Sequence, residues 1–268
     1  MISRLSKIYH FVGSIPYKIH PNLHFQMYKF MVNAGLRNVA HDAVVKFAVK
    51  CLRRGDCVID VGANRGTYSY SMLKAVGKHG KVYSFEPNPI IAEQLKKNLR
   101  YSNAVIENTA VSNISGDRIF YRHTKGCGPT SSLEFFDVLD KSGEIEETKV
   151  KSITLDSFCQ SHNLSPNLIK IDVEGHEFNV FKGAESTIRS LRPYIIFEFI
   201  EEFWQEKRIK AIFEFLVPAY NLIRIEDGAN AINAYLDYKP HCYPDFRVSK
   251  VVNIGCIPKG NSSVLGRI

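Results

Sequence analysis

Short apolar segments alternate with longer amphipathic segments from residue 57 onward. The apolar segments are rich in β-branched residues, and most are separated by stretches typical of helices, such as residues 89–101 and 177–191. Buried strands that alternate with helices indicate a parallel sheet covered on both faces. The pattern therefore predicts an α/β, doubly wound fold, whose main strands are CVIDV, KVYSF, AVIEN, LIKIDV and YIIFEF.

Both ends of the chain carry further predicted elements. Residues 22–52 have apolar positions at helical spacing, which predicts an N-terminal helical extension. After YIIFEF, a helix-like segment, EEFWQEKRIKAIFEFL, leads to two late segments, YNLIRIEDG and RVSKVVNIGCI. We expect these two segments to form strands that pair antiparallel at one edge of the sheet.

Residues 124–147 form a candidate lid. This segment is rich in Gly, Ser and acidic residues, and it is bracketed by DRIFYRH and TKVKSITLDSF, which have the composition of additional strands. A long and weakly patterned segment inside a compact domain is usually a functional or mobile loop.

Length and composition favour one elaborated domain. The 268 residues are 45% apolar, which is enough for one sizeable core. We divide the chain into a basic helical extension, residues 1–54, and a main domain, residues 55–268. No apolar run approaches the roughly 18 residues of a membrane helix, and no signal-peptide core is present, so we expect a cytoplasmic protein. The six cysteines contain no CxxC pair, and we expect free thiols.

The net charge of +8 resides in the N-terminal fifth of the chain. Residues 1–54 contain nine basic residues against one acidic residue, whereas basic and acidic residues balance in the remainder. A solvated basic face, an anionic membrane surface, an anionic glycan and nucleic acid all explain such an excess. Peripheral contact with an anionic membrane or glycan through this extension is therefore one hypothesis.

A glycine-containing turn follows the first predicted strand. Asp60, Gly62, Asn64 and Gly66 form the pattern D-x-G-x-N-x-G before a helix-like segment. In an open parallel sheet, ligands bind at the carboxyl ends of strands, where glycines let the backbone approach them. The next strand ends at Glu86, whose carboxylate could accept hydrogen bonds from both ribose hydroxyls. The turn and the carboxylate together predict a ribose-containing cofactor.

The turn departs from the dinucleotide fingerprint. In G-x-G-x-x-G, the second glycine position is here Asn64 and the third is Thr67. S-adenosylmethionine has no pyrophosphate, and its methionyl amine and carboxylate suit Asp60, Asn64 and backbone N–H groups. We therefore predict this cofactor. The predicted binding residues are Asp60, Gly62, Ala63, Asn64, Gly66, Thr67, Tyr68, Glu86 and Pro87, with Asn108 and Ala110 placed beside the adenine by topology.

Seven segments resemble the FkbM family of S-adenosylmethionine-dependent methyltransferases. They extend from about Asp56 to Phe199 and are VIDVGANRGTYS, VYSFEPNP, ENTAVSN, SSL, SITLDSF, LIKIDVEGHEFNVFKGA and IIFEF. The resemblance implies a class I methyltransferase fold, Rossmann-like with a mostly parallel seven-stranded sheet, and a cofactor site at residues 60–66 and Glu86. It also implies O-methylation, which in this family acts on hydroxyls of glycans, glycolipids or polyketide-type natural products.

Several carboxylates gather at the predicted strand ends, beside the expected methyl group. Asp172 and Glu174 lie at the end of the buried strand predicted over residues 168–173, and Glu198 ends the neighbouring strand. Methyl transfer to a hydroxyl benefits from positioning and from a base, for which Asp172 is the first candidate and His176 the alternative. Glu174 and Glu198 would orient sugar hydroxyls. Alternatively, Asp172, Glu174 and Glu198 would hold a hard divalent cation.

Three further residues are candidate substrate contacts. Ser131 and Ser132 lie in GPTSSL, which is either a cover over the ligand or a simple turn. Lys170 precedes Asp172 on the same strand face, and a buried lysine needs a carboxylate partner. We interpret Lys170 first as a member of an ion pair.

Two other functions compete with O-methylation. The basic extension suggests nucleic-acid methylation, but DVEG stands where amino-group methyltransferases typically carry an N-P-P-Y-like loop, and the extension lacks interleaved aromatic and basic residues. The acidic cluster argues against a non-catalytic module that binds a ribose-containing ligand. We therefore predict an O-methyltransferase whose acceptor is a hydroxyl-bearing small molecule or glycan rather than a nucleic acid.

Overall fold

The computed structural model describes residues 21–33, 43–123, 131–134, 145–200, 206–225 and 251–261. Its helices are α1 Pro21–Asn33, α2 Ala43–Cys51, α3 Thr67–Val76, α4 Pro89–Asn98, α5 Leu155–Ser161, α6 Glu177–Lys182, α7 Glu185–Leu191 and α8 Glu206–Leu216. Its strands are β1 Cys57–Val61, β2 Lys81–Phe85, β3 Ala104–Glu107, β4 Ala110–Val111, β5 Gly116–His123, β6 Ile145–Ile153, β7 Leu168–Ile171, β8 Tyr194–Ile200, β9 Tyr220–Arg224 and β10 Val251–Pro258.

The main sheet has seven strands in the described part of the chain, in the order β3-β2-β1-β7-β8-β10-β9. Strands β3, β2, β1, β7 and β8 run parallel, whereas β10 is antiparallel to both β8 and β9. The predicted α/β fold with a mostly parallel seven-stranded sheet is confirmed. The predicted antiparallel pairing of the two late strands is also confirmed, although residues 247–250 of the second lie outside the described residues.

Strand register brings the functional ends of four strands to one level. In β1, Val61 pairs with Phe85 of β2 and with Ile171 of β7, and Ile171 pairs in turn with Phe197 of β8. The residues that follow these four positions therefore lie side by side at the carboxyl edge of the sheet. The strand order reverses between β1 and β7, and such a switch point is where open α/β sheets bind ligands.

Helices cover both faces of the main sheet. Successive strand residues point to opposite faces, so Val58 packs with the buried side chains of α1 to α4, whereas Ile59 packs with those of α5 to α8. On the first face, Phe47 of α2 lies against Gly255 of β10, where an added Cβ would meet the ring at 2.6 Å. The N-terminal helices thus pack into the same core as α3 and α4. Within the described residues, no helix combines the length and the apolar character needed to cross a membrane.

A second, three-stranded sheet has the order β4-β6-β5. Its long strands β5 and β6 pair antiparallel and contain DRIFYRH and the first six residues of TKVKSITLDSF, both predicted as additional strands. The strand prediction was wrong for the last four residues, 155–158, which begin α5 after the Thr154 N-cap. Most of the candidate lid, residues 124–130 and 135–144, lies outside the described residues. The last three residues assigned to the lid, 145–147, belong instead to β6.

Three further predicted boundaries were wrong. The stretch 177–191 forms two helices, α6 and α7, because the chain leaves the first helix at its C-cap, Gly183. Gly183 lies against the residue after β4, since an added Cβ there would be 2.0 Å from the Ser112 carbonyl oxygen. The strand predicted over residues 168–173 ends at Ile171, because Glu174 and Gly175 turn the chain with φ angles of 54° and 94°. The helix predicted over residues 89–101 ends at Asn98.

The predicted extension and the cysteines are described in part. Helices α1 and α2 lie in the helical extension predicted over residues 22–52, except that α1 begins one residue earlier, at Pro21. Residues 34–42 lie outside the described residues. The described cysteines are free thiols, as predicted, and Cys127 and Cys242 lie outside this set.

Candidate active site

A cavity of about 320 Å³ opens at the carboxyl edge of the main sheet. Its walls are the loop after β1, the residues after β2, the start of β4, the segment 131–134 and the turn after β7. Phe85, Ile91, Val111, Phe120 and Leu133 give it apolar surface. A largely apolar cleft with a few convergent polar groups is the usual form of a small-molecule site.

The loop after β1 is shaped by three residues with positive φ. Gly62, Asn64 and Gly66 have φ angles of 78°, 50° and 92°. At Gly62 the loop also touches the turn after β7, because an added Cβ would lie 1.7 Å from the Asp172 carbonyl oxygen. Asn64 thus takes a left-handed conformation, which asparagine tolerates better than most residues.

Glu86 is fixed by two backbone N–H groups. Its Oε2 accepts from Asn64 and its Oε1 accepts from Asn88, each at 2.9 Å. Its side chain is buried, and burial raises the pKa of Glu86 to about 7, against the lowering effect of the two N–H donors. A carboxylate can accept about four hydrogen bonds, so each oxygen keeps a lone pair for a donor in the cavity.

Lys170 joins two carboxylates beneath the cavity. Its Nζ lies 2.8 Å from Asp172 Oδ2 and 3.6 Å from Asp60 Oδ1, and Asp60 also accepts a hydrogen bond from the Ser69 hydroxyl. Burial raises the pKa of Asp60, which Lys170 opposes. Lys170 forms the ion pair that its buried strand position predicts. Neither Asp60 nor Lys170 lines the cavity.

Three carboxylates meet on the cavity wall. Asp172, Glu174 and Glu198 each place one carboxylate oxygen within 4.8 Å of the others. Asp172 and Glu198 are brought level by the register of β7 and β8, and the left-handed turn at Glu174 directs its side chain to the same place. Burial, followed by repulsion from neighbouring carboxylates, raises the pKa of Glu174 to about 10 and that of Glu198 to about 8.

Glu177 supports the turn that carries Glu174. Its Oε1 accepts the N–H groups of Val173 at 3.0 Å and Gly175 at 3.3 Å. The side chain is 1% exposed, and burial raises its pKa to about 7. Its second oxygen, Oε2, has no hydrogen-bond partner among the described residues.

His176 has partners at both ring nitrogens. Nε2 lies 2.9 Å from the Ser112 hydroxyl, and Nδ1 lies 2.8 Å from Oε1 of Glu134. The ring faces the cavity, but in this arrangement neither nitrogen is free to take a proton from an acceptor. The geometry therefore favours Asp172 over His176 as the base.

The segment 131–134 is fastened over this side of the cavity. Ser132 exchanges two backbone hydrogen bonds with Tyr121 of β5, and its hydroxyl donates to the Val173 carbonyl oxygen at 3.3 Å. Glu134 Oε1 also accepts from the Asn179 amide at 3.0 Å and lies 3.5 Å from Arg208. The contacts of Glu134 with His176 and Asn179 were not predicted. The three-residue spacing of His176 and Asn179 places both side chains on one face of the first helical turn, which is the only local sign that they share a partner.

Residues 60–231 match the family model of the Methyltransferase FkbM domain, which is more than half of the chain. The chain belongs to the FkbM methyltransferase family. S-adenosylmethionine is the methyl donor that this family uses.

Relatives of the chain include two curated methyltransferases. It is 30% identical to the hexuronic acid methyltransferase AglP of Haloferax volcanii over 156 residues, which are 57% of this chain and 60% of that protein. It is 38% identical to the protein-L-isoaspartate O-methyltransferase of Ignicoccus hospitalis over 158 residues, 56% of this chain and 65% of that one. The matches thus span less than two thirds of either relative. A similar solved structure is the methyltransferase FkbM from Methylobacillus flagellatus, with a TM-score of 0.47 and 14% identity over 76% of this chain and 44% of that one.

The site of this FkbM family member fits S-adenosylmethionine. Glu86 retains acceptor capacity suited to ribose hydroxyls, and the walls include apolar surface for an adenine. Asn64 Oδ1 is buried without a hydrogen-bond partner among the described residues. A buried acceptor without a partner is costly, and the methionyl ammonium of the cofactor is a suitable donor for it.

The structure gathers most of the predicted site residues around one cavity. Among the predicted residues, those that line it are Gly62, Ala63, Asn64, Thr67, Tyr68, Glu86, Pro87, Ala110, Ser131, Ser132, Asp172, Glu174, His176 and Glu198. Four of the predicted residues do not line the cavity: Asp60, Gly66, Asn108 and Lys170. The Asn108 amide donates to the carbonyl oxygens of Glu86 and Pro87, so it stabilises the turn after β2 rather than facing the cavity.

Proposed function

We propose that this FkbM family member transfers a methyl group from S-adenosylmethionine to a hydroxyl of a sugar, in a glycan, a glycolipid or a related natural product. The observation that carries the proposal is the single cavity lined by both Glu86 and the carboxylates Asp172, Glu174 and Glu198. A ribose-binding carboxylate and a proton-accepting cluster thus face the same space. The name of the relative from Haloferax volcanii, a hexuronic acid methyltransferase, supports a sugar as acceptor.

The residues of the loop after β1 and of the turn after β2 bind and orient the cofactor. Glu86 accepts hydrogen bonds from the ribose hydroxyls, and Asn64 Oδ1 accepts one from the methionyl ammonium. When bound, the cofactor supplies an electrophilic methyl group on its sulfonium. Correct orientation of two reactants accounts for much of the acceleration in such displacements.

Asp172 accepts the proton of the acceptor hydroxyl. It lies on the cavity wall, and its Oδ2 is held by Lys170 at 2.8 Å, which leaves Oδ1 for the acceptor. A general base at this position contributes typically about 10²- to 10⁴-fold to a rate. Glu174 and Glu198 stand beside Asp172 and orient the other oxygens of the sugar.

Methyl transfer from labelled S-adenosylmethionine tests the proposal. The purified chain is incubated with hexuronate-containing and neutral oligosaccharides, lipid-linked sugars, a macrolide and RNA. We expect label in a sugar acceptor, bound as an ether that resists mild base. Asp172→Asn should lower the rate of labelling by about 10²- to 10⁴-fold. Glu185→Gln, which alters an exposed carboxylate paired with Arg189, should retain the wild-type rate.

Three results would contradict the proposal. Base-labile label would identify a carboxyl as the acceptor, and label in RNA alone would identify a nucleic-acid methyltransferase. Tight cofactor binding without transfer to any acceptor would favour a non-catalytic module.

A further inference from the structure

The carboxylate cluster on the cavity wall has more negative groups than compensating cations within the described residues. Lys170 is the ammonium at the cluster, and its charge is already shared between Asp172 and Asp60. Glu174 and Glu198 form no ion pair with any described lysine, arginine or histidine. Carboxylates this close together are stable as anions only where a positive charge compensates them.

Glu177 has an unpartnered buried oxygen behind the turn that carries Glu174. Its Oε1 is held by the N–H groups on both sides of Glu174, so its carboxyl group lies against the turn that carries Glu174. Its Oε2 has no partner among the described residues, and its charge adds to the repulsion on Glu174 and Glu198. A buried carboxylate oxygen without a partner calls for an explanation, and a bound ion near the turn is one.

Asn253 lies beside the cluster on the other side. In the antiparallel pairing of β10 with β8, Asn253 is directly opposite Glu198. Side chains of directly opposed residues project from the same face, with Cβ atoms roughly 4.5–5.5 Å apart. An amide opposite Glu198 adds to this neighbourhood an oxygen of the kind that hard cations accept.

We propose that Asp172, Glu174 and Glu198 bind one hard divalent cation of the Mg²⁺, Mn²⁺ or Ca²⁺ class. The donors are oxygens, with no cysteine and no free histidine nitrogen in the described cluster, which disfavours zinc. All three ligands line the cavity, so part of the coordination sphere faces the space assigned to the acceptor. Because a carboxylate has about four lone-pair sites, Asp172 can bind the cation and still accept the hydroxyl proton. Cations of this class keep several positions for water or substrate oxygens.

A cation bound by the three carboxylates explains how this side of the cavity binds an acceptor that is rich in oxygen atoms. Neighbouring sugar hydroxyls, or a hydroxyl and the carboxylate of a hexuronate, fill the open positions and are thereby oriented. For a hexuronate, the cation also offsets the repulsion between the acceptor and the carboxylates. This role rests on the proposed function, whereas cation binding itself does not.

Direct Mn²⁺ binding tests the site without any methyl transfer. The chelator-treated full chain is titrated with Mn²⁺ and followed by electron paramagnetic resonance, in the absence of cofactor and acceptor. We expect one saturable Mn²⁺ per chain, displaced by Mg²⁺ or Ca²⁺. Glu198→Gln should weaken binding at least tenfold, and the control Glu185→Gln should bind as the wild type does. No saturable binding, or equal binding by Glu198→Gln, overturns the proposal.

Thermal unfolding keeps the test valid if a variant is unstable. Mn²⁺ should raise the melting temperature of the wild type and leave those of Glu198→Gln and Glu174→Gln unchanged, because a ligand that binds only the folded state stabilises it. Equal rises in all three would overturn the site. Mn²⁺ binding without methyl transfer would contradict the proposed function alone, whereas transfer in a chain that binds no cation would contradict the cation site alone.

Discussion

Oε1 of Glu134 lies 2.8 Å from Nδ1 of His176, although the two residues are 42 positions apart in the chain. This contact fastens the segment 131–134 to the first turn of α6. Asn179 and Arg208 approach the same oxygen at 3.0 and 3.5 Å. The cavity wall on the acceptor side is therefore held by one carboxylate that is hydrogen-bonded at the start of α6 and ion-paired with Arg208 of α8.

Glu134→Gln should raise the acceptor KM roughly tenfold and leave cofactor affinity unchanged. Hydrogen bonds to a charged group contribute about 1.5–3 kcal/mol each, and the neutral amide accepts weaker ones. Steady-state kinetics with the acceptor found in the labelling panel, together with calorimetry of S-adenosylhomocysteine, would separate the two effects. Glu93→Gln, which changes an exposed carboxylate paired with Lys96, is the control. A proportional loss of cofactor affinity would show that Glu134 supports the whole cavity.

Glu86→Ala should weaken S-adenosylhomocysteine binding by tenfold or more. Tenfold corresponds to about 1.4 kcal/mol, which is within the contribution of a hydrogen bond to a charged acceptor. The substitution also frees the N–H groups of Asn64 and Asn88, so the loop after β1 loses its tie to β2. Calorimetry gives the affinity and thermal unfolding gives the stability of the variant. An unchanged affinity would show that the ribose binds elsewhere.

Cofactor affinity should increase as the pH rises from 6 to 8, with a midpoint near the pKa of Glu86, about 7. Below this pKa the carboxyl carries a proton, and fewer oxygens accept from ribose hydroxyls; above it, both oxygens accept. Burial raises the pKa of Glu86 in the folded state, so the stability of the folded protein falls as rising pH ionises Glu86. A ligand that prefers the ionised carboxylate therefore binds better at high pH. Asp60 raises and Arg65 lowers the same pKa. In Glu86→Gln the dependence should disappear. Its persistence would assign the titration to another group, such as Glu177.

Asp172→Asn should leave cofactor binding within about twofold and lower single-turnover transfer by about 10²- to 10⁴-fold. Asparagine keeps the size of the side chain and cannot accept the hydroxyl proton. Lys170 would then have Asp60 as its remaining carboxylate partner, at 3.6 Å. Rapid quenching of labelled transfer, with the variant saturated in cofactor, measures the chemical step. Transfer within tenfold of the wild type would remove Asp172 from the role of base.

Local sequence patterns were sufficient to predict the main sheet and the residues that lie at or just after the carboxyl ends of its strands. Glu86, Asp172 and Glu198 each end or follow an apolar strand, and the carboxyl ends of parallel strands share one edge of the sheet. Glu134 and Asn253 were not predicted in these roles, because their neighbours lie far away in sequence. The position of Asn253 depends on the register of β10 against β8, and that of Glu134 depends on the path of segment 131–134 across the turn after β7.

Asn64→Gly should preserve the fold and weaken S-adenosylhomocysteine binding several-fold to tenfold. Glycine adopts the φ angle of 50° without a Cβ penalty, and the backbone N–H still donates to Glu86, so the substitution removes only the side-chain amide. Because the buried Oδ1 has no partner among the described residues, its loss should leave the melting temperature equal or higher. Asn64→Ala is the matched control: it removes the same acceptor and adds about 1–2 kcal/mol of left-handed strain, so it should lose both affinity and stability. Wild-type affinity in Asn64→Gly would show that asparagine serves the turn and not the methionyl ammonium.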